Sequence, residues 1–440
     1  MERSRREFLR NAAMMSAGIG LGAGTPTSLF AGTPGKVSAA DKIRVGVIGI
    51  NGMGWSDLSA MLKNNPETVC TAICDVDKSV LDKRSADLAK DFSMKPAQYG
   101  DYRKLLDSKD VDVVIIGTPD HWHCLQAVDA CAAGKDVYVE KPCGNSIHEI
   151  KAMVAAKTRY NKVVQVGQWQ RSNAHFRSAL DFINTGKLGK IRMVKAWAYQ
   201  GWMSNIPVKP DSAPPPGVDY DMWLGPANKR PFNPNRFHFN FRWFWDYAGG
   251  LMTDWGVHLV DYALLGMNAH DPISVMASGG KMAYPDDASE TPDTLATVYD
   301  YGDFIMLWEH AQAIDGGNYG KDHGIAYIGN NGTLVLDRGG WKVIPEGKRM
   351  EAVAEVKRSD DGLANHTKNF IEAVKKRDAS ILHTPIEAGA NVAKVCQMGN
   401  IAYRTGRKLF WDKTTDQFTD ADANRYITPT YHNNYTLPKF

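Results

Sequence analysis

The feature that most constrains the fold is a glycine-rich turn between a short apolar segment and a helical pattern. The stretch reads 42-KIRVGVIGINGMGWSDLSAML-62, where apolar residues at 43–48 predict a buried strand. Apolar residues at 58–62 recur at helical spacing, so a helix is expected after the turn. A strand, a glycine turn and a helix in this order form the first unit of folds that bind a dinucleotide at the carboxyl ends of parallel strands.

The turn departs from the usual G-x-G-x-x-G spacing, because Asn51 stands where the second glycine is expected. Asparagine tolerates a positive φ better than most residues, so the turn can survive this substitution. Glycines let the backbone approach a pyrophosphate, and the helix N-terminus attracts its negative charge. The predicted cofactor contacts in this turn are Gly49, Asn51, Gly52, Met53 and Gly54.

A second predicted strand, 68-TVCTAICDVD-77, carries an acid where such folds bind a ribose. Asp75 follows the last glycine by about 20 residues, the usual distance for a carboxylate that binds the 2′-hydroxyl. A carboxylate repels a 2′-phosphate, so the sequence favours NAD and leaves NADP as the alternative. Asp75 could otherwise be a solvated acid or a helix cap.

Two further strand ends carry polar residues, in 111-VDVVIIGTPDHWHCLQAVDACAAGK-135 and 136-DVYVEKP-142. Ligands bind at the carboxyl ends of the strands in an open parallel sheet, so these residues are expected on the cofactor edge. The alternation of strands and helices to about residue 165 predicts a doubly wound parallel sheet. The expected cofactor contacts here and after the next strand are Thr118, Pro119, Trp122, His123, Glu140, Lys141 and Gln168.

Composition places the chain among soluble globular proteins and limits its partners. Its 440 residues are 43% hydrophobic and 23% charged, which allows two or three domains with a large core. The net charge of +3 argues against nucleic acid as the main partner. Aromatic residues concentrate between Trp197 and Trp255, as hydrophobic core or as a platform for sugar rings. The six cysteines lack zinc-site spacing and are interpreted mostly as core residues, with a disulfide as the alternative.

Residues 1–40 are interpreted as an export signal and linker rather than as part of the fold. Residues 4–10 read SRREFLR and precede a mildly apolar stretch, a pattern typical of twin-arginine signals. An ordinary secretory signal with a basic start is the alternative. The twin-arginine route carries folded proteins, so we predict a periplasmic protein that takes its cofactor along. No later apolar run approaches the roughly 20 residues of a transmembrane helix.

Four motifs resemble those of the Gfo/Idh/MocA oxidoreductases, the glucose–fructose oxidoreductase and inositol dehydrogenase family. They are 46-GVIGINGMG-54, TPDHWH at 118–123, EKP at 140–142 and 249-GGLMTDWGVHLVDYALLG-266. The stretches 230-RPFNPNRFHFNFRWFWDYAGG-250 and 407-RKLFWD-412 resemble an exported bacterial branch of that family. The resemblance implies an α/β protein with a Rossmann domain at 41–165. It also implies a second α/β domain at 166–440 with a large open, mainly antiparallel sheet, whose outer face makes a dimer or tetramer.

Several segments fit this second domain. Strand-like runs are 191-IRMVKAWAY-199, 294-TLATVYDY-301, 304-FIMLWEH-310 and 325-IAYIG-329, and helical patterns span 366–377 and 391–407. The last residues, 423–440, lack periodicity and are interpreted as an extended arm over the surface.

The resemblance also implies the catalytic residues. Lys141 would bind the substrate hydroxyl and the cofactor ribose, held in orientation by Glu140 nearby, with a structural lysine–carboxylate pair as the alternative. His258 would accept the hydroxyl proton, and Asp254 would orient it or bind a sugar hydroxyl. If 251–265 is one helix, Asp254 and His258 share a face because they are four residues apart. A satisfied core histidine is the alternative for His258.

A substrate wall is expected from two polar and aromatic segments, with hydrophobic core as the alternative. Aromatic faces stack on sugar C–H surfaces, and charged side chains bind hydroxyls. The predicted substrate contacts are Trp169, Arg171, Arg236, Trp245 and Asp246, and no metal motif is found.

Three functions fit an exported protein with a tightly bound nicotinamide cofactor. The first is a dehydrogenase acting on a secondary hydroxyl of a sugar or glycoside, which we prefer. The second is a redox glycosidase resembling glycoside hydrolase family 109, which oxidises C3, eliminates the aglycone and then reduces the ketone again. The third is a sugar sensor on a former dehydrogenase, which the intact Lys141, Asp254 and His258 argue against. The same scaffold hosts more than one chemistry.

Overall fold

The structure, a computed structural model, describes residues 42–440 and contains two sheets. The first is a six-stranded parallel sheet in the order β3-β2-β1-β4-β5-β6. Its elements are β1 (Ile43–Ile48), α1 (Met53–Asn64), β2 (Thr68–Cys74), α2 (Lys78–Phe92), β3 (Ala97–Tyr99), α3 (Tyr102–Leu106), β4 (Val113–Ile116), α4 (Asp120–Ala132), β5 (Asp136–Val139), α5 (Ile147–Tyr160) and β6 (Val164–Val166). This confirms the predicted doubly wound sheet.

The central strands are apolar along their length because both faces of the sheet are covered. Every residue of β4 and β5 is buried. In β1, Val45 and Val47 pack in one core cluster with Leu58 of α1, while Ile48 packs on the opposite face with Cys124 of α4. The carboxyl ends of β2, β1, β4 and β5 therefore lie side by side, and the polar residues that follow them meet at one edge.

The second sheet has ten strands in the order β14-β13-β12-β11-β7-β10-β9-β8-β15-β16. β7 and β10 pair in parallel, and the other neighbours run antiparallel, which confirms the mainly antiparallel sheet. The strands are β7 (Ile191–Gln200), β8 (Ser274–Gly280), β9 (Thr294–Asp300), β10 (Ile305–Gln312), β11 (His323–Gly329), β12 (Gly332–Asp337), β13 (Gly340–Pro345), β14 (Val356–Lys357), β15 (Leu409–Asp412) and β16 (Gln417–Phe418). The helices are α6 (Ala174–Asn184), α7 (Tyr220–Leu224), α8 (Gly250–Asp254), α9 (Gly256–Met267), α10 (Gly362–Lys376), α11 (Ile386–Thr405) and α12 (Ala421–Asn424).

Segments far downstream complete the first domain. The predicted boundary at residue 165 falls inside β6, which ends at Val166 and pairs with β5. Helix α10 packs against α1, and its Phe370 and Ile371 enter the core on that side of the parallel sheet. Helix α11 packs against α5 on the other side. The chain therefore crosses between the two sheets more than once.

The C-terminal arm, residues 425–440, lies on the first domain. The Tyr431 hydroxyl donates to the buried carboxyl of Glu149 in α5 at 2.6 Å. The Asn433 amide donates to the carbonyls of Gly225 at 2.7 Å and Ala227 at 3.0 Å, just after α7. Tyr435 packs edge-on against Trp122 with ring centres 5.4 Å apart. The arm thus joins α5, α4 and the segment after α7.

The structure also describes the cysteines and the lengths of the apolar helices. All six cysteines are buried free thiols, and burial raises the pKa of Cys70 to about 12. Within residues 42–440, no helix is long and apolar enough to cross a membrane. The predicted export signal at 1–40 lies outside the described residues.

Candidate active site

The glycine turn after β1 depends on close backbone approaches. Gly49 has a φ of +77°, and a Cβ on it would lie 2.7 Å from the backbone nitrogen of Thr118. A Cβ on Gly54 would collide with the carbonyl oxygen of Gly49. Gly52 differs, because no atom lies within 4 Å of the position its Cβ would take. The turn therefore leaves open space at the N-terminus of α1, where backbone N–H groups suit a phosphate.

Asn51 replaces a glycine without adopting the left-handed conformation, since Gly49 is the residue of this turn with positive φ. The tolerance of asparagine for positive φ is therefore not used. The Asn51 amide nitrogen lies 3.4 Å from Nδ1 of His238, whose Nε2 lies 3.0 Å from a carboxylate oxygen of Asp77. A side chain of the 230–250 segment thus reaches the cofactor edge.

Asp75 is held in place by the turn. Its carboxylate accepts the backbone N–H of Ile50 and that of Asp77, both at 3.1 Å. Burial raises the pKa of Asp75 to about 6. The cap of α2 is Asp77, which accepts the N–H of Ser79, so Asp75 is not a helix cap. Its position suits the ribose-binding acid of a dinucleotide site.

An open cleft runs along the carboxyl ends of these strands, with about 1180 Å³ of empty space that includes open solvent. Adjacent strands lie about 4.8 Å apart, so the cleft extends roughly 14 Å from Asp75 past the glycine turn and Thr118 to Lys141. The predicted cofactor residues that line it are Gly49, Asn51, Gly52, Met53, Asp75, Thr118, Pro119, Trp122, His123, Glu140 and Lys141. Gly54 packs beneath the turn, and Gln168 is fully buried outside this lining.

Two side chains of α4 hold the walls of the cleft together. The ring nitrogens of His123 lie 2.6 Å from the carbonyl of Pro142 and 2.8 Å from that of Thr118, so this ring joins the ends of β5 and β4. The Trp122 indole donates to the carbonyls of Met222 and Trp223, both at 3.1 Å. Trp122 therefore fixes α7 over the cleft.

Lys141 is held by Asp254 at the last strand end of the cleft. Its Nζ donates to the Asp254 carboxylate at 2.7 Å and to the Asp254 carbonyl at 3.0 Å. Arg242 donates from Nε to the same carboxylate oxygen at 3.1 Å. Burial alone would raise the pKa of Asp254, but the charges of Lys141 and Arg242 outweigh it and hold that pKa well below its usual range. Asp254 is therefore a carboxylate that positions two cations.

His258 lies close to this group but is not bonded to Asp254. The condition of one helix over 251–265 is not met, because the chain breaks at Trp255 between α8 and α9. His258 is 6% exposed, and neither ring nitrogen has a hydrogen-bond partner within residues 42–440. Burial, followed by the positive charges of Lys141 and Arg338, lowers the pKa of His258 well below 6.5. The imidazole is therefore neutral near neutral pH and can accept a proton.

Two carboxyl groups next to Lys141 resist ionisation. Burial raises the pKa of Glu140 to about 7 and that of Asp120, in the cleft wall, to about 8. Glu140 is 5% exposed, and its Oε1 has no partner in the described part of the chain. The Lys141 ammonium donates to Asp254 and not to the Glu140 carboxyl, so the expected orienting role falls to Asp254 instead.

None of the five predicted substrate residues lines the cleft. Arg171 forms a buried ion pair with Asp261, and Arg236 donates to the carbonyl of Pro231. Trp245 donates to the carbonyl of Glu290, and Asp246 accepts from Arg230. Trp169 also lies outside the lining, but its ring centre is 6.4 Å from that of His258, beside the candidate catalytic group.

The 230–250 segment supplies other side chains instead. Arg242, His238 and Phe239 line the cleft. Its density of aromatic and charged residues predicted a wall, but the spacing could not identify which members face the ligand. The segment contains a short 3-10 helix, His238–Trp243, and His238 has a φ of +53° that no pattern indicated. No cluster of His, Cys, Asp and Glu in residues 42–440 is arranged to hold a metal ion.

Solved structures share this fold at low sequence identity. The WlbA dehydrogenase from Bordetella pertussis, in complex with NADH and UDP-GlcNAcA, matches with a TM-score of 0.61 and 19% identity, over 84% of this chain and 99% of that one. The myo-inositol 2-dehydrogenase from Lactobacillus plantarum matches with a TM-score of 0.60 and 17% identity, over the same shares.

Curated relatives match over shorter segments. A glycosyl hydrolase family 109 protein from Saccharopolyspora erythraea is 31% identical over 213 residues, which are 44% of this chain and 45% of the relative. An alpha-N-acetylgalactosaminidase from Shewanella oneidensis is 28% identical over 202 residues, 42% and 44% of the two chains. The matched segments thus span less than half the length of these relatives.

Two family models match nearly all of the described chain. The first, an oxidoreductase family NAD-binding Rossmann fold, matches residues 43–168, and the second, an oxidoreductase family C-terminal alpha/beta domain, matches residues 184–437. Together with the parallel sheet, the glycine turn and the cleft, these matches show that the chain belongs to the Gfo/Idh/MocA oxidoreductase family.

Proposed function

We propose that this protein is a dehydrogenase that oxidises a secondary hydroxyl of a sugar or glycoside, with a tightly bound NAD as hydride acceptor. The observation that carries the proposal is the arrangement at the end of the cleft opposite Asp75. There an ammonium, Lys141, is fixed by Asp254, and an unbonded neutral imidazole, His258, lies close by. A hydrogen-bond donor and a proton acceptor next to a dinucleotide cleft suit the oxidation of an alcohol.

Each residue of this arrangement has a separate role in the proposed reaction. NAD supplies an acceptor for the hydride that leaves the carbinol carbon. Lys141 donates a hydrogen bond to the hydroxyl oxygen and stabilises its developing negative charge. The hydroxyl proton passes to the imidazole of His258. Asp254 orients Lys141, and the low pKa of Asp254 prevents it from taking that proton itself.

The cleft fits NAD on several observations. Gly52 leaves open space where a pyrophosphate would approach the backbone, and Asp75 offers a carboxylate for a ribose. The same carboxylate disfavours the 2′-phosphate of NADP. The roof formed by α7 is held by Trp122 and Asn433, which supports slow release of the cofactor. Retention matters for an exported protein, because free NAD is scarce outside the cytoplasm.

A redox glycosidase is the second candidate, and the names of the curated relatives favour it. That reaction would use Lys141 and His258 for a transient oxidation and would need a further base for the proton next to the ketone. No residue of the cleft is assigned that role here.

The two functions differ in the product that accumulates, which is reduced cofactor for the dehydrogenase and free aglycone for the glycosidase. Purified mature protein, without added cofactor, is mixed with chromogenic α- and β-glycosides while near-ultraviolet nicotinamide absorbance and released aglycone are followed together. We expect reduction of bound NAD without repeated aglycone release. Many turnovers of release with no net reduction would instead establish the glycosidase.

We also propose export by the twin-arginine route to the periplasm and assembly into a dimer or tetramer. Residues on the outer face of the ten-stranded sheet support the assembly. Met276, Val298 and Leu307 pair across β8, β9 and β10 on that face, and Met276 is 48% exposed. Sedimentation of the purified protein tests the assembly, and cell fractionation of strains with Arg5 and Arg6 replaced by lysine tests the route.

A further inference from the structure

Arg338 is a half-buried cation to which residues 42–440 supply no hydrogen-bonding partner. It lies in the turn between β12 and β13, where Asp337 accepts the N–H of Gly339 at 2.6 Å and that of Gly340 at 3.0 Å. The second oxygen of Asp337 pairs with Lys321 at 2.7 Å, so this carboxylate is already engaged. The turn therefore holds the Arg338 backbone in place while its guanidinium stays unpaired.

Two tryptophans hold the guanidinium next to the candidate catalytic group. The Arg338 Cζ atom lies 5.0 Å from the ring centre of Trp169 and 4.6 Å from that of Trp255. Trp169 is the ring beside His258, and Trp255 directly follows Asp254. Stacking on aromatic faces stabilises a cation but uses none of its five N–H donors. Those donors therefore lie unused beside the reaction site.

Comparison with another buried arginine shows what is missing. Arg171 donates to both carboxylate oxygens of Asp261, at 2.8 Å and 2.6 Å. Arg338 makes no such contact, its Nε is fully buried, and burial lowers its pKa to about 10. Burial of an unpaired ion is unfavourable, and an anionic ligand would relieve this cost.

The other charged groups around Arg338 also leave the site with an excess of positive charge. Lys141 and Arg242 share a single carboxylate, Asp254, so Arg338 is a third cation with no second carboxylate bonded to it. Arg358 and His323 also lie close enough to interact with the charge of Arg338, and the acids that act on it are Asp254 and, more weakly, Asp322. An excess of positive charge in a concave site attracts anions.

We propose that Arg338 binds an anionic oxygen group of the sugar substrate, either the carboxylate of a uronate or a sulfate ester. The proposal rests on the dehydrogenase function given above and specifies its substrate class. The planar guanidinium fork binds two oxygens of such a group at once, and the indoles of Trp169 and Trp255 form apolar walls beside it.

The test compares sugars that differ in one substituent. Methyl glucuronide, methyl glucoside and methyl glucoside 6-sulfate, with their galacto counterparts, are titrated calorimetrically into the NAD-loaded protein. We expect at least one anionic member to bind roughly 10- to 100-fold more tightly than its neutral counterpart, as a bidentate charge-assisted contact implies. Whichever anionic sugar binds more tightly, the glucuronide or the sulfate ester, shows whether the site prefers a carboxylate or a sulfate.

Variants assign that preference to the guanidinium. In Arg338→Met the preference should disappear while the affinity for the neutral sugar stays the same, and Arg338→Lys should keep part of it. Arg358→Met is the matched control, since it removes a neighbouring positive charge but leaves the Arg338 guanidinium in place, and it should keep most of the preference. Equal affinity of wild-type protein for charged and neutral sugars would overturn the proposal, even if Arg338→Met does not fold.

Nicotinamide absorbance separates this proposal from the function on which it rests. Anion-selective binding that depends on Arg338, with no reduction of bound NAD by any sugar, would support the anion site and contradict the dehydrogenase. Neutral sugars could instead reduce bound NAD equally in the wild-type protein and in Arg338→Met, with no anion preference in binding. That result would support the dehydrogenase and contradict the anion site.

Discussion

The Lys141 ammonium, which contacts both a carboxylate and a carbonyl oxygen of Asp254, is the residue on which the proposed chemistry depends most directly. We expect Lys141→Met to slow reduction of bound NAD by roughly 10²- to 10³-fold, the usual effect of removing one donor to a developing oxyanion. Stopped-flow absorbance with a sugar that reduces the wild-type protein measures this. The affinity for that sugar should change much less.

Lys135 provides the control for this substitution. It is also a buried lysine of the first domain, and its Nζ donates to the carbonyls of Ser108 and Val111. Lys135→Met should lower the free energy of unfolding and leave the rate of hydride transfer nearly unchanged. Equal rate losses in the two variants would contradict a chemical role for Lys141.

The environment of His258 determines the pH dependence of the reaction. Its pKa lies well below 6.5 because of burial and neighbouring positive charge, so the imidazole stays neutral as the pH falls through 6.5. The rate of NAD reduction should therefore hold steady there and decline only at lower pH, when protonation removes the base. His258→Gln should slow the reduction of NAD roughly 10²- to 10⁴-fold, and the decline in rate at low pH should disappear. Since the Glu140 and Asp120 carboxyls beside Lys141 have pKa values of about 7 and 8, a limb near those values would belong to them. A low-pH limb that His258→Gln retains would contradict the assignment to His258.

Sequence motifs identified the residues attached to regular strand ends and missed those attached to irregular chain. Lys141 and Asp75 could be predicted because a strand end in a parallel sheet fixes where the next side chains lie. Arg242 and Arg338 could not, since one comes from a 3-10 turn and the other from the two-residue hairpin turn between β12 and β13. Their positions depend on tertiary packing, and no local sequence pattern predicts that packing.

At the scale of elements, the glycine turn offers a matched pair of substitutions. Gly49→Ala places a Cβ against Thr118 at positive φ, so it should lower the free energy of unfolding by about 2 kcal/mol or more. Gly52→Ala meets open space and should leave stability unchanged, while NAD affinity falls about tenfold because the pyrophosphate approach is blocked. Chemical denaturation and fluorescence titration measure the two effects. Unchanged NAD binding in Gly52→Ala would place the phosphates elsewhere.

Helix prediction failed at one informative place. The run from 251 to 265 is apolar enough for a single helix, yet it divides at Trp255 into α8 and α9. The ion pair to Lys141 and the stacking of Trp255 on Arg338 hold the two sides of the break. Tertiary contacts therefore override a helical pattern where two side chains must face different partners.

At the scale of the whole molecule, the C-terminal arm links the end of the chain to the roof of the cleft. Asn433 donates to two carbonyls just after α7, whereas its neighbour Asn434 makes no side-chain hydrogen bond in the described structure. Both residues have positive φ, so alanine costs the backbone a similar amount at either position. We expect Asn433→Ala to release NAD roughly fivefold faster or more, as loss of two hydrogen bonds implies, and Asn434→Ala to release it at the wild-type rate.

The measurement is displacement of bound NAD by excess labelled cofactor. Identical release rates in the two variants would show that the arm does not hold the roof. The expectation of an arm over the surface came from missing periodicity alone. Its contacts with α5, α4 and the segment after α7 could not be predicted, because they depend on single polar side chains with no repeating pattern.

The position of this arm also orders events during synthesis. A ribosome finishes residues 42–166 long before it reaches α10, α11 and residues 425–440, all of which pack against the first domain. The contacts that hold the roof of the cleft are therefore complete only after residues 425–440 have been made, and a nascent chain that lacks them has no finished roof over its nucleotide. Loading with cofactor becomes a step after translation, and premature termination near the end would impair nucleotide retention before it disturbed the sheets.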